Sequence, residues 1–230
     1  MSLNCKLGFH SWDGCICNVC SKTRNEKHDY VNDICKICGQ GTYTDLRDGK
    51  KYNTIKIGNQ IWLTENLAYK PASGNFWTYQ GNESYLTVYG YLYDWKTAKE
   101  IIPLGWHLPS NEEFNILLKN VGGTGVKKAF KSLIKGGNSG FSALFGGYRE
   151  HHEGAFLSAG RGRYATVYDK TERGNEYGTF NYIGVITRFW SSSQYKSDPF
   201  YMEINSTRYE VSTHCGMPKE NGISVRCIKD

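Results

Sequence analysis

Between residues 39 and 214 the sequence has no cysteine, although the chain of 230 residues holds eight. It has no apolar run near the ~18 residues that a helical membrane span needs and no basic-then-apolar leader. The first gap confines any metal or disulfide framework to the chain ends, the second excludes helical spans, and the third makes a cytoplasmic location the expectation unless a leader has been removed. What is present is a foldable mixture: 39% hydrophobic and 22% charged residues argue against disorder. Tyrosine (17) and glycine (26) are abundant, which favours a loop-rich, β-containing fold over a helical bundle. The length suits one large domain, or an ordinary one plus a small unit.

Six of the eight cysteines are Cys5, Cys15, Cys17, Cys20, Cys35 and Cys38; the others are Cys215 and Cys227. Such crowding marks a small unit, residues 1–41, that cannot build an apolar core and must be held by metal or by disulfides. Metal is the better reading. Cys17/Cys20 and Cys35/Cys38 form two C-x2-C hooks, whose spacing lets two thiolates reach one tetrahedral ion. Each hook follows a histidine and an aromatic residue, His10 with Trp12 and His28 with Tyr30, so the pattern H-x-aromatic-x4-C-x2-C occurs twice, offset by 18 residues. The six cysteines and two histidines supply ligands for two four-coordinate zinc ions. Keeping the repeat intact gives one site of Cys5, His10, Cys17 and Cys20 and another of Cys15, His28, Cys35 and Cys38. The rival partition puts both hooks on one ion and leaves Cys5, His10, Cys15 and His28 over; a disulfide knot is the non-metal alternative. With all ligands from the protein, the ions would be structural rather than catalytic.

With its thiolates and two dications this unit has a net charge of about −1. Lys22, Arg24 and Lys27 cluster, but Glu26 and Asp29 dilute them. A nucleic-acid surface should be clearly positive, so none is expected.

Residues 42–230 read as a second domain. Alternation over residues 52–58 and 60–64 around Gly58-Asn59 predicts a hairpin, and residues 70–82 read as loop. Tyr89, Tyr91 and Tyr93 alternate as on one strand face. Residues 95–102 form a short helix ended by Pro103. Ser110 and Glu113 make a capping box before a helix that buries Phe114, Leu117, Leu118 and Val121. A further amphipathic piece, residues 126–135, buries Ala129, Phe130, Leu133 and Ile134. Strands are expected at residues 141–148, 179–191, 200–204, 208–212 and 223–228, with a long polar loop over residues 149–178. Hairpin, helices, then strands is an α+β order.

The stretch from Tyr52 to Leu67, then Tyr91 to Trp95, Gly105 to Ser110, Phe189 to Ser193 and Ser224 to Asp230, resembles in order the Fibrobacter succinogenes major paralogous domain family. The block from Gly105 and the Val225-Arg226-Cys227 ending are also similar to the wider C-type-lectin-like superfold, including relatives of formylglycine-generating enzymes. The resemblance implies an α+β domain of C-type-lectin-like fold, with close termini and a long irregular loop region, in a mostly bacterial, often exported family largely of unknown function. The family cysteine that would pair with the one near the C-terminus is absent here, where Ile101 and Ile102 stand before Pro103. Cys227 therefore pairs with Cys215, or both stay thiols; the missing bridge and the zinc thiolates favour a reducing compartment, with cell surface or secretion kept open.

Chemistry is sparse. An oxidase of the formylglycine-generating kind needs an activated thiol, and Cys227 sits in a core strand, so no catalysis is expected. The Glu-Pro-Asn and Trp-Asn-Asp triplets of calcium-dependent sugar sites do not occur; Glu203 and Asn205 read as a solvated strand face, and His107 as a core or capping histidine. Candidate ligand-surface residues are Trp77 and Tyr79 in the first loop and His151, His152, Arg161, Arg163 and Tyr164 in the second. The expectation is a non-catalytic binding or interaction module with structural zinc, whose partner is a protein or a glycan. A carbohydrate-binding surface protein is the first alternative, and an oxidase-like relative of the formylglycine generators the second.

Overall fold

This computed structural model describes residues 10–13, 15–17, 24, 26–31, 34–153, 168–170 and 176–230. Two miniature antiparallel hairpins come first: β1 (Trp12–Asp13) with β2 (Ile16–Cys17), and β3 (Tyr30–Val31) with β4 (Ile34–Cys35). Their registers are copies, Trp12 facing Cys17 and Tyr30 facing Cys35. The sequence repeat is therefore also a structural one.

Next, β5 (Gln40–Thr44) pairs with β6 (Lys51–Ile57) and β6 with β7 (Gln60–Leu63). Ile57 faces Gln60, so Gly58-Asn59 is the whole loop, and Gly58 takes φ 61°, a left-handed value open to glycine. Both faces of this hairpin are covered: Ile55, Ile57 and Trp62 join one core cluster, Tyr52 and Leu63 another. The first loop contains β8 (Phe76–Trp77) and a 3-10 turn at Tyr79–Gly81. The expected tyrosine alternation does not form. Tyr89 ends a one-turn helix, α1 (Leu86–Tyr89), Gly90 turns the chain at φ 72°, and β9 covers Leu92–Tyr93.

Asp94 caps α2 (Trp95–Glu100) by accepting from the Thr97 N–H. After β10 (Trp106–His107) comes α3 (Asn111–Val121), with both halves of the Ser110/Glu113 capping box made and Phe114, Leu117, Leu118 and Val121 buried. Ala129, Phe130 and Leu133 of α4 (Lys127–Leu133) are buried and Ile134 is half-buried.

The remaining elements are strands: β11 (Gly146–Glu153), β12 (Tyr168–Lys170), β13 (Glu176–Ile183), β14 (Ile186–Tyr195), β15 (Asp198–Asn205), β16 (Glu210–Cys215), β17 (Ile223–Ser224) and β18 (Ile228–Lys229). The strand expected over residues 223–228 is two short ones in different sheets, β17 and β18. Two further expectations change. The strand over residues 179–191 is two strands, broken where Gly184 turns at φ 78°. The ends of the expected loop at 149–178 are ladder, β11 pairing β13 out to Glu153 opposite Glu176. Burial of Arg149 explains the second change. Its guanidinium lies 4.2 Å from the centre of the Trp77 ring and fills the space over Gly178, where any Cβ would collide with it.

The strands form a seven-stranded sheet, β10-β18-β7-β6-β5-β4-β3, and a larger one, β12-β13-β11-β14-β17-β9-β8, with β15 and β16 extending from β14. Mostly β with a few helices, the chain is α+β in class. The first sheet runs without a break from the C-terminal strand to the second cysteine hairpin, and β5 spans the expected division at residues 41/42.

Arg226, fully buried, ties this sheet to its surroundings. Its guanidinium donates to the carbonyl oxygens of Leu63 (3.1 Å) and Phe141 (2.6 Å) and twice to Asn66 Oδ1. Burial lowers its pKa to about 9, which leaves the group charged at neutral pH.

Candidate metal centre

Four of the predicted ligands converge. The donor atoms of Cys15, His28, Cys35 and Cys38 all lie within 4.8 Å of one another. Cys15 Sγ is 3.5 Å from Cys35 Sγ, and Cys38 Sγ is 3.4 Å from His28 Nδ1. A tetrahedral zinc ion with ordinary bond lengths has edges of roughly 3.8 Å between two sulfurs and ~3.5 Å between sulfur and nitrogen. These two edges already have the lengths of a tetrahedral shell, and 3.5 Å is well beyond the ~2.05 Å of a disulfide. Cys15, Cys35 and Cys38 are free thiols.

Local folding explains the convergence. The C-x2-C hook turns at residues 36–38, and the Gly39 N–H returns to Cys35 O at 2.8 Å. Lys36 N–H bonds Asp29 O at 2.7 Å, which draws the His28 segment against the hook. Cys15 comes from the turn of the first hairpin, so this centre joins the two halves of the repeat. It is the set given by the repeat-preserving partition; Cys17, buried in β2, is not part of it. Of the other proposed set, His10 is half-buried, whereas Cys5 and Cys20 lie outside the described residues.

The donors are chemically suited to a cation. Burial, then hydrogen bonds and charge from Cys35 and Cys38, push the Cys15 thiol up to about 12. Burial opposes ionisation of Cys35 too, but donation from the Cys38 backbone, His28 and the Ile37 backbone brings it down to about 6. One thiolate is comfortable here and a second beside it is not; a dication at the centre removes that conflict.

A family model supplies an independent finding. The Fibrobacter succinogenes major domain model matches residues 55–229, well over half of the chain. The chain belongs to that family. No curated protein and no solved structure matches it. The match begins inside β6, so the metal centre lies N-terminal to the family segment while sharing its first sheet.

The other candidate residues are scattered. Tyr79 is corrected from surface to core: it is 3% exposed, edge-on to Tyr85 and tilted against Phe180, and has no face left for a ligand. Trp77 is half-buried under Arg149. His151 is half-buried, its N–H donating to Asn221 Oδ1; His152 lies in β11. Arg161, Arg163 and Tyr164 fall outside the described residues. Glu203 and Asn205 do not form a solvated face: Glu203 pairs with Arg188 at 2.8 Å, and buried Asn205 accepts from the Thr207 and Arg208 N–H groups. Cys227 is buried with its thiol pushed up to about 12 by burial, Cys215 is exposed, and both are free.

Sequence reasoning missed Glu65. Its carboxylate accepts from the Asn53 N–H (2.9 Å), Asn53 Nδ2 (2.7 Å) and Thr64 Oγ1 (3.0 Å), fixing two side chains on one sheet face. The available clue was its place in the Trp62-to-Leu67 block that carries the family resemblance.

Proposed function

We propose that the chain is a non-catalytic binding module of C-type-lectin-like fold, whose N-terminal unit is clamped by structural zinc. The four-donor cluster of Cys15, His28, Cys35 and Cys38 carries this reading. Its four protein donors complete a zinc shell and leave no position for a reacting water. The repeat extends the assignment to a second ion on Cys5, His10, Cys17 and Cys20. Absence of catalysis rests on the thiols: Cys227 is buried and held protonated, and Cys215 bonds only weakly to Asp198 O at 3.4 Å, so neither resembles an activated nucleophile. Zinc thiolates fit a reducing compartment.

Metal analysis of protein purified without chelator tests this directly. Two zinc ions per chain are expected, falling to one when Cys35 is replaced by Ser. Metal-free protein, or disulfides among the first six cysteines by mass spectrometry, would overturn it.

A further inference from the structure

A cleft of about 530 Å³ opens where His28 and Tyr30 meet residues 40–42 of β5 and 53–55 of β6, within the ~300–1,000 Å³ typical of small-molecule sites. We infer that this cleft binds a neutral, polyhydroxylated ligand, a saccharide. The inference rests on the proposed zinc clamp, because the ion holds His28 and with it the β3 wall.

Three features select this ligand class. The first is charge: no Lys, Arg, Asp or Glu is among the described residues lining the cleft, and the Glu65 carboxylate beside it already accepts from Asn53 and Thr64. The second is a set of uncharged donors and acceptors. Thr42, Asn53, Thr64 and Ser142 supply an amide and hydroxyls, the groups that can both give and take hydrogen bonds from sugar hydroxyls. The third is an aromatic rim. Tyr30 is 55% exposed, with its ring 5.3 Å from that of His28, offering a flat apolar surface beside the polar floor.

The cleft is also pre-organised. Glu65 takes one Asn53 Nδ2 hydrogen and the Thr64 Oγ1 hydrogen, which orients both side chains and leaves Asn53 Oδ1 and the lone pairs of Thr64 to accept from a ligand. Ser142 holds φ 56°, an uncommon value for a residue other than glycine, next to the Phe141 carbonyl that Arg226 grips. Arg226 also holds Leu63 O and Asn66 Oδ1, the neighbours of Thr64 and Glu65. One buried cation therefore steadies two walls, and side chains held before binding lose little entropy on binding.

The test is an array of neutral oligosaccharides (hexose and N-acetylhexosamine chains) printed beside sialylated and uronic-acid glycans, probed with the full zinc-loaded chain. Any retained glycan is then titrated calorimetrically. Retention of neutral glycans is expected, with affinity falling at least about tenfold in Thr42→Arg, which puts a charge in the cleft, and in Tyr30→Ala, which removes the rim. Tyr195→Ala, an exposed aromatic on β14, should leave it unchanged. Retention of acidic glycans alone, no retention, or equal binding by all three variants would overturn the site. Zinc is counted on the same samples: full metal without glycan binding removes the saccharide site alone, whereas missing metal removes the zinc clamp.

Discussion

His107 shows how one side chain can join a helix start to the last residue and make stability depend on pH. Its Nδ1 meets Asp230 Oδ1 and its Nε2 meets Glu113 Oε1, both at 2.7 Å. Both ring nitrogens donate only when the imidazole is charged. Burial works against that charge, but the hydrogen bonds donated to Glu113 and Asp230 outweigh it, and the pKa rises above 6.5. For a raised folded-state pKa, the contribution is complete below the unfolded value near 6.5 and fades as pH climbs through the folded one. Glu113 sets the acid limit. Burial raises its pKa, the bonds from Ser110 and His107 lower it further, and the net shift below 4.5 makes its contribution fade on acidification. The pair is thus most stabilising between those limits. His107 is 38% exposed, so solvent screening keeps the effect small. Urea melts of His107→Gln should show a loss of about 0.5–1 kcal/mol at pH 6 and little at pH 9. Equal losses at both would mean that the neutral ring suffices.

Glu113 also belongs to the element scale, since one carboxylate serves two structures. Its Oε2 accepts from the Ser110 N–H and Oγ to close the capping box of α3, while Oε1 holds β10 through His107. Ser110→Ala should cost about 1 kcal/mol, as cap removals do. Because the two interactions share Glu113, the Ser110→Ala, His107→Gln double variant should lose measurably less or more than the sum. Strict additivity in a double-mutant cycle would show that cap and bridge are independent. This cap was legible in the sequence because every group lies within four residues of the others, and the Gly58-Asn59 turn was legible for the same reason. What sequence could not show was long-range. Residues 149–178 look like polar loop because Arg149, Glu150 and the two histidines carry no strand pattern. β11 continues there because Arg149 finds a ring on β8 and the space left by a glycine, Gly178, on β13. The tyrosine alternation misled in the opposite sense: its spacing was right for a strand, and Gly90 redirected the chain.

At the scale of the whole molecule, the question is how far the metal's influence extends. Spacing alone named the candidate ligands, but not which four converge; that depends on Cys15 crossing from the first hairpin to the second, a tertiary fact. The same is true of the saccharide cleft, since its lining comes from residues 28–42, 53–64 and 140–142, which no local pattern connects. Zinc contributes about 10–16 kcal/mol in small finger units, more than such a unit retains without it, whereas the family segment has two apolar clusters of its own. The join between them is β5. Its five residues pair with β6 from Gln40 opposite Ile55 to Thr44 opposite Lys51, but it meets β4 at Gly41 opposite Ile34 alone. Chelation should therefore remove amide hydrogen-exchange protection from residues 28–38 and stop near Gly39, whose carbonyl is held by the Lys56 N–H at 2.8 Å. Protection in β5, α3 and β14 should persist, and α3 should melt at nearly the same temperature with and without metal. If chelation instead strips protection from α3 as well, the continuous sheet couples both parts into one cooperative unit, and the zinc stabilises the family domain rather than only the hairpins attached to it.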